Sequence, residues 1–272
     1  MTTAHPRLLS LAQWLGLAGW RAQLPHSSTD HVVIWLTRGQ GLCLLQGLRR
    51  GMGARNALCI PAGALFSFTP GPQVFGLVCL IPGDSQIEMP NKALHLRVRD
   101  ARDQSEITGI LETMQREQNA NRPFMSEALA AQAQLLTVWV RRWIAEHPAE
   151  SNPAPSASDR LVQAYANLIE YDYATGKPMA DYAKTLGVTP THLTRCCRSS
   201  SGLTAATLLT QRILHDARDK LETTTLPAKD IAASLGFRSA AYFSRFIVKH
   251  TDQTPSALRK ASNQRLQPTS KA

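Results

Sequence analysis

No run of eighteen or more apolar residues occurs in this 272-residue chain, so nothing in it reads as a membrane-spanning helix. Cys-x-x-Cys and His-x-His spacings are also missing, which removes the commonest signatures of a thiol redox pair and of a metal clamp. The five cysteines, Cys43, Cys59, Cys79, Cys196 and Cys197, are odd in number and read as reduced, mostly buried thiols. Acidic residues are scarce: 20 Asp plus Glu stand against 30 Lys plus Arg, a net charge of +10. The imbalance is uneven, since residues 159–272 hold 16 basic and 9 acidic side chains while residues 1–158 hold 14 and 11. A basic C-terminal part suits a polyanion through counterion release, and an acidic membrane surface would reward it too. The first twenty residues faintly imitate a signal peptide, but Gln13 interrupts their apolar stretch and no small-x-small cleavage site follows, so a cytoplasmic protein is expected.

What is present is a repeat. Asp181, Ala183, Leu186 and Gly187 each recur 49 residues later as Asp230, Ala232, Leu235 and Gly236, and Arg195 recurs as Arg245, 50 residues on. A small residue inside one helix, a glycine at the turn and a second helix beyond it form a helix-turn-helix unit. Two such units offer two helices to DNA.

The matching stretch runs from Arg212-Ile213 through Asp230-Ile231-Ala232, Leu235-Gly236-Phe237 and Tyr242-Phe243-Ser244-Arg245-Phe246 to Thr254-Pro255-Ser256. Residues from about Leu161 to Arg259 thereby resemble the DNA-binding domain of the AraC/XylS family of transcription regulators. That resemblance implies double-stranded promoter DNA as partner and, as for most such proteins, activation of transcription and contact with RNA polymerase; the residues themselves leave activator and repressor both open. No catalysed reaction and no cofactor are expected.

In the first unit, Thr189 is placed to cap the recognition helix, with Pro190 at its first position. Leu193 points inward, leaving Thr191, His192, Thr194, Arg195 and Arg198 on or near the exposed face. Arg195 is the candidate for a bidentate guanine contact. In the second unit Ser239 caps the helix, Tyr242, Phe243 and Phe246 are assigned to packing, and Arg238, Ala240, Ala241, Ser244, Arg245 and Lys249 are left for the groove. Ala240 and Ala241 are short, so this helix is expected to read fewer bases and lean on backbone contacts. The adjacent Cys196 and Cys197 fall on the inner side of the first recognition helix, where free cysteine acts as a small hydrophobe rather than a thiol sensor.

Before the repeats the pattern changes twice. From His31 to about Pro82 short apolar runs alternate with glycines and prolines, reading as five or more strands of a sandwich or barrel. From Asp103 to Glu146 the period becomes helical. The arrangement is similar to the cupin-type regulatory domain of many AraC-family proteins, and Asn56 to Gly63 resembles the second cupin motif. The His-x-His pair of a metal cupin is missing, so the barrel is read as metal-free, against a cupin-type enzyme fused to a DNA-binding domain. Along the strand His31 to Leu36, alternation sets His31, Val33 and Trp35 on one face and Val32, Ile34 and Leu36 on the other. His31, Trp35 and Arg38 are the candidate pocket for a small organic anion.

The expected architecture is therefore α+β in two domains. A cupin-like β-barrel with flanking helices spans 1–145 and senses a small effector. A Pro- and Ser-rich linker spans 146–158, an all-α domain with two helix-turn-helix units spans 159–261, and a disordered tail spans 262–272. The alternative is a ligand-free barrel used for dimerisation or protein partners. Leu135, Leu136, Trp139 and Trp143 offer either a homodimer face or a cover for the barrel.

Overall fold

The computed structural model describes residues 5–16, 19–148 and 155–266. Residues 149–154, the centre of the expected linker, lie outside the described residues, as do 267–272 of the expected tail.

Among the described residues the N-terminal domain holds eight strands: β1 (Arg7–Ser10), β2 (Asp30–Arg38), β3 (Gln40–Leu45), β4 (Leu48–Gly53), β5 (Asn56–Ile60), β6 (Phe66–Pro70), β7 (Phe75–Pro82) and β8 (Leu94–Arg97). They form an antiparallel five-stranded sheet in the order β1-β7-β2-β5-β8 and a three-stranded sheet in the order β4-β3-β6. Two short helices, α1 (Leu11–Leu15) and α2 (Trp20–Gln23), lie between β1 and β2. Gln46 and Gly47, both at positive φ, turn β3 into β4, the two-residue geometry whose twist suits a hairpin.

Period-two alternation on β2 decides which core each side chain enters. Val32, Ile34 and Leu36 face the second sheet and pack with Cys43, Leu45, Phe66 and Phe68. Val33 and Trp35 face the other way, onto a layer formed by α3 (Ala101–Ala120) and α4 (Met125–Glu146). Alternation is thus as read, but the face bearing Trp35 lies beneath the helices and not between the sheets. Leu136, Trp139 and Trp143 are buried in that same layer. Of the four apolar residues considered for a homodimer face, Leu135 is left exposed.

The C-terminal domain comprises α5 (Ala157–Asp172), a short turn of tighter helix at Tyr173–Thr175, α6 (Met179–Thr185), α7 (Pro190–Ser201), α8 (Ala205–Thr223), α9 (Ala228–Ser234), α10 (Ala240–Thr251) and α11 (Pro255–Leu266). Helix α11 runs past the expected start of the tail at Ser262, because the Ser262 hydroxyl is buried and donates to the Glu222 carbonyl at 2.8 Å. Each helix-turn-helix unit has its own core, but neither core is closed by its own residues. Leu44 and Leu48, on the outer face of the three-stranded sheet, join Val162, Tyr165, Leu193 and Cys197. Leu24 packs against the core of the second unit, built on Leu221, Ile231, Phe243 and Ile247. Besides the cores of its own, the N-terminal domain therefore shares the core of the first helix-turn-helix unit.

Candidate nucleic-acid interface

In the first unit α6 ends at a left-handed Gly187, φ +68°, with the Val188 N–H returning to the Ala183 carbonyl at 3.0 Å. Thr189 then starts α7. Its hydroxyl accepts from the His192 N–H at 3.2 Å, and Pro190 occupies the first helical position, where a missing N–H costs nothing. Leu193, Cys196 and Cys197 are buried, which turns Thr191, Arg195 and Arg198 outward; His192 and Thr194 are half-buried. The Arg195 guanidinium donates to His192 Nδ1 at 3.0 Å, leaving the proton on Nε2, which lies 3.6 Å from the Cys196 sulfur. His192 is thus a brace for Arg195, bolted to the core side of its own helix. Burial pushes the Cys197 thiol up to about 12, so it carries no thiolate at neutral pH.

The second unit repeats the device with different fillings. Gly236 is left-handed at φ +73°, the Phe237 N–H returns to the Ala232 carbonyl at 3.0 Å, and the Ser239 hydroxyl caps α10 by accepting from the Tyr242 N–H at 3.2 Å. Phe243 and Ile247 are buried, with Phe237 packing on the Phe243 and Phe246 rings. Arg238, Ser239, Ala240, Ala241, Arg245 and Lys249 are exposed, and Ser244 is half-buried. Tyr242, assigned to packing from the sequence, is instead 57 % exposed. Helical spacing of three and four residues puts it in line with Arg245 and Lys249. The signal was present: Phe243 and Ile247, four apart, already mark the inward stripe, and Tyr242 lies off it.

The ion pairs of the domain leave the recognition helices out. Asp172 pairs with Lys177, Glu170 with Arg212, Asp216 with Lys220, and Glu222 with Arg218, none of them a residue of α7 or α10. Arg198, Arg238, Arg245 and Lys249 form no ion pair with a described residue. Between the units runs α8, capped by the Thr204 hydroxyl, which accepts from the Thr207 N–H at 3.0 Å. At a rise of about 1.5 Å per residue it is roughly 27 Å long, a rigid spacer on the scale of one DNA turn.

The three residues considered for an effector are held apart. His31 Nδ1 accepts from the Ala62 N–H at 3.0 Å, and burial lowers its pKa below the ordinary imidazole value. Arg38 lies over the Phe75 ring at 5.8 Å. Trp35 is buried under α3 and α4, and its indole N–H has no acceptor among the described residues. Among those residues no group of three or more metal-ligating side chains occurs, and no helix is long and apolar enough to cross a membrane.

Two capped helices on a basic face, joined by a rigid third, make this a double helix-turn-helix DNA-binding domain. The pattern of a family described as a helix-turn-helix domain matches residues 182–261. The chain is similar to the raffinose operon transcriptional regulatory protein RafR of Pediococcus pentosaceus, at 23% identity over 120 residues, covering 44% of this chain and 42% of that protein. It is also similar to the uncharacterized HTH-type transcriptional regulator YijO of Escherichia coli K12, at 26% identity over 111 residues, 41% of this chain and 39% of that one. The chain therefore spans about two fifths of the length of the curated relatives it matches. Among solved structures, ToxT from Vibrio cholerae aligns over 94% of this chain and 97% of its own, with 12% identity and a TM-score of 0.44. The helix-turn-helix domain, residues 182–261, is the part of the chain that the family match covers.

Proposed function

We propose that the protein regulates transcription by reading a promoter with α7 and α10 in successive major grooves, and that its N-terminal domain conveys a small-molecule signal to them. The observation carrying the reading is the pair of side-chain-capped helices whose outward faces bear Arg195 and Arg198 in one, Arg245 and Lys249 in the other. Arg195, braced by His192, is the base reader; Thr191 and Thr194 touch thymine methyls or phosphates; Arg238, Ser239, Ser244, Arg245 and Lys249 grip the backbone around the short Ala240 and Ala241. Selection of binding sites from a random duplex library, followed by gel shifts over a salt series, tests this. A sequence preference together with a steep fall of affinity with salt supports it, and equal binding of all duplexes argues against it.

For the sensing role, the supporting feature is the buried Trp35 indole N–H without an acceptor. An unmet buried donor costs about 1–3 kcal/mol, which an acceptor on a ligand would recover. Titration of aromatic and aliphatic carboxylates against thermal stability, with Trp35→Phe as control, tests that part. We read the protein as a cytoplasmic activator that contacts RNA polymerase.

A further inference from the structure

The N-terminal domain meets the joint between the two helix-turn-helix units at a polar seam. Glu170 near the end of α5 belongs to the first unit, and Arg212 on α8 leads toward the second. Their side chains are almost completely buried, and Arg212 Nε donates to Glu170 Oε1 at 2.7 Å while its guanidinium lies 3.8 Å over the Tyr173 ring. Tyr173 in turn donates to Asp216 at 3.1 Å. Ser27, from the N-terminal domain, donates to the other Glu170 oxygen at 2.6 Å. Beside it the His26 ring stacks on His215 of α8 at 4.4 Å and 4°, and its other side rests on Phe66 of the inter-sheet core at 4.4 Å. Trp20 abuts His215, Arg218 covers Trp20 at 4.1 Å, and Arg21 pairs with Asp219 at 3.3 Å.

A second contact clamps the first unit from the other side. Gly47, at the tip of the β3–β4 hairpin, sits against α5 so closely that an added Cβ would lie 2.7 Å from Val162 Cγ1. Leu44 and Leu48 flank that tip inside the first unit's core, and Leu24 reaches the second unit's core. The N-terminal domain thus holds one helix-turn-helix unit on each side of the Glu170–Arg212 joint.

We propose that Ser27, His26 and the Gly47 hairpin tip are positioning residues for DNA recognition: they splint the joint, so that the N-terminal domain sets the separation between the two grooves the protein accepts. This rests on the two-groove reading above. A buried ion pair depends on further hydrogen bonds to hold its geometry, and the Glu170 oxygen that accepts from Arg212 Nη2 at 3.3 Å accepts a shorter one, 2.6 Å, from Ser27 outside the DNA-binding domain. A loosened joint lets α7 and α10 shift relative to one another without altering any residue that touches DNA.

The test uses the full chain and the duplex it selects in vitro, in versions with one base pair added or removed between the two contacted segments. Wild type is expected to favour the selected spacing by about tenfold or more, the scale of a single lost base contact. Ser27→Ala and, independently, Gly47→Ala should keep affinity for the selected duplex within about threefold while the preference for its spacing falls to about twofold. Thermal melting confirms that each variant is folded, and Ser27→Thr, which keeps the hydroxyl, should restore the preference. Wild-type discrimination in both folded variants would overturn the proposal. A wild type that binds every spacing equally overturns it as well, while leaving DNA binding itself intact; a wild type that binds no duplex overturns the function.

Discussion

In the first helix-turn-helix unit the turn glycine, Gly187, has open space around it, whereas in the second Gly236 is pressed against the Thr175–Gly176 backbone. The same contrast extends through both cores. The first fills with Cys196, Cys197 and two leucines borrowed from the N-terminal sheet; the second relies on Phe237, Phe243 and Phe246 of its own. On the outer faces the first presents an arginine braced by a histidine, and the second opens with two alanines followed by Tyr242, Arg245 and Lys249. A sequence repeat has thus been filled in two ways: one core completed by two leucines of the N-terminal sheet, the other packed mainly on its own aromatic rings with Leu24 at its edge.

Breaking the turns should separate the units most sharply. An alanine at 236 would place Cβ 2.6 Å from the Thr175 carbonyl carbon as well as straining a left-handed backbone, so Gly236→Ala is expected to cost about 3 kcal/mol or more. Gly187→Ala meets no atom and carries the backbone strain alone, about 1 kcal/mol. Urea unfolding of the two variants measures the difference, and equal losses would mean that the Gly236–Gly176 contact contributes nothing.

The recognition arginines come next. Arg195→Ala should weaken specific binding by about 1–3 kcal/mol and relax preference at one or two bases. Arg245→Ala should weaken all sequences alike and lower the salt slope by about 1. Gel-shift series on selected and scrambled duplexes distinguish these outcomes, and loss of base preference in Arg245→Ala would reverse the assignment of reader and holder.

Acid sharpens the comparison at the joint. Burial lowers His26 from 6.5 to about 4 and His215 to about 2, with coulombic repulsion between the two rings adding to the effect on His215. Both imidazoles are therefore neutral when folded, and the unfolded chain takes up more protons below its ordinary value. Stability is fully present above about pH 6.5 and declines as pH falls from there toward 4. Replacing His26 with Gln should flatten that decline in pH-dependent melting curves, and an unchanged slope would contradict the neutral stacked pair.

Much of this was legible in sequence. The repeat spacing of Gly187 and Gly236, the caps Thr189 and Ser239, and the inward cysteines all follow from local rules that hold wherever a helix-turn-helix forms. Three strands were not legible. Strand β1 hides in an apolar start that mimics a leader, and β4, Leu-Arg-Arg-Gly-Met-Gly, shows no clean alternation because its outward residues face solvent while Leu48 and Met52 alone are buried. Strand β8 is four residues long, at the sheet edge. Nor does spacing reveal which layer covers a strand face: Trp35 alternates as expected, yet the helices that bury it lie more than sixty residues away in sequence. The shared core escaped for the same reason, since Leu44 and Leu48 look like ordinary strand residues until α5 is laid against them.

Helices α7 and α10 are expected to enter two grooves at one set separation. Methylation interference on the selected duplex, with the full chain bound, tests it directly. Two clusters of blocked major-groove guanines on the same side of the duplex, about one turn or roughly 34 Å apart, are predicted, with the cluster under α7 alone disappearing in Arg195→Ala. A single cluster, or two on opposite sides of the duplex, would contradict it.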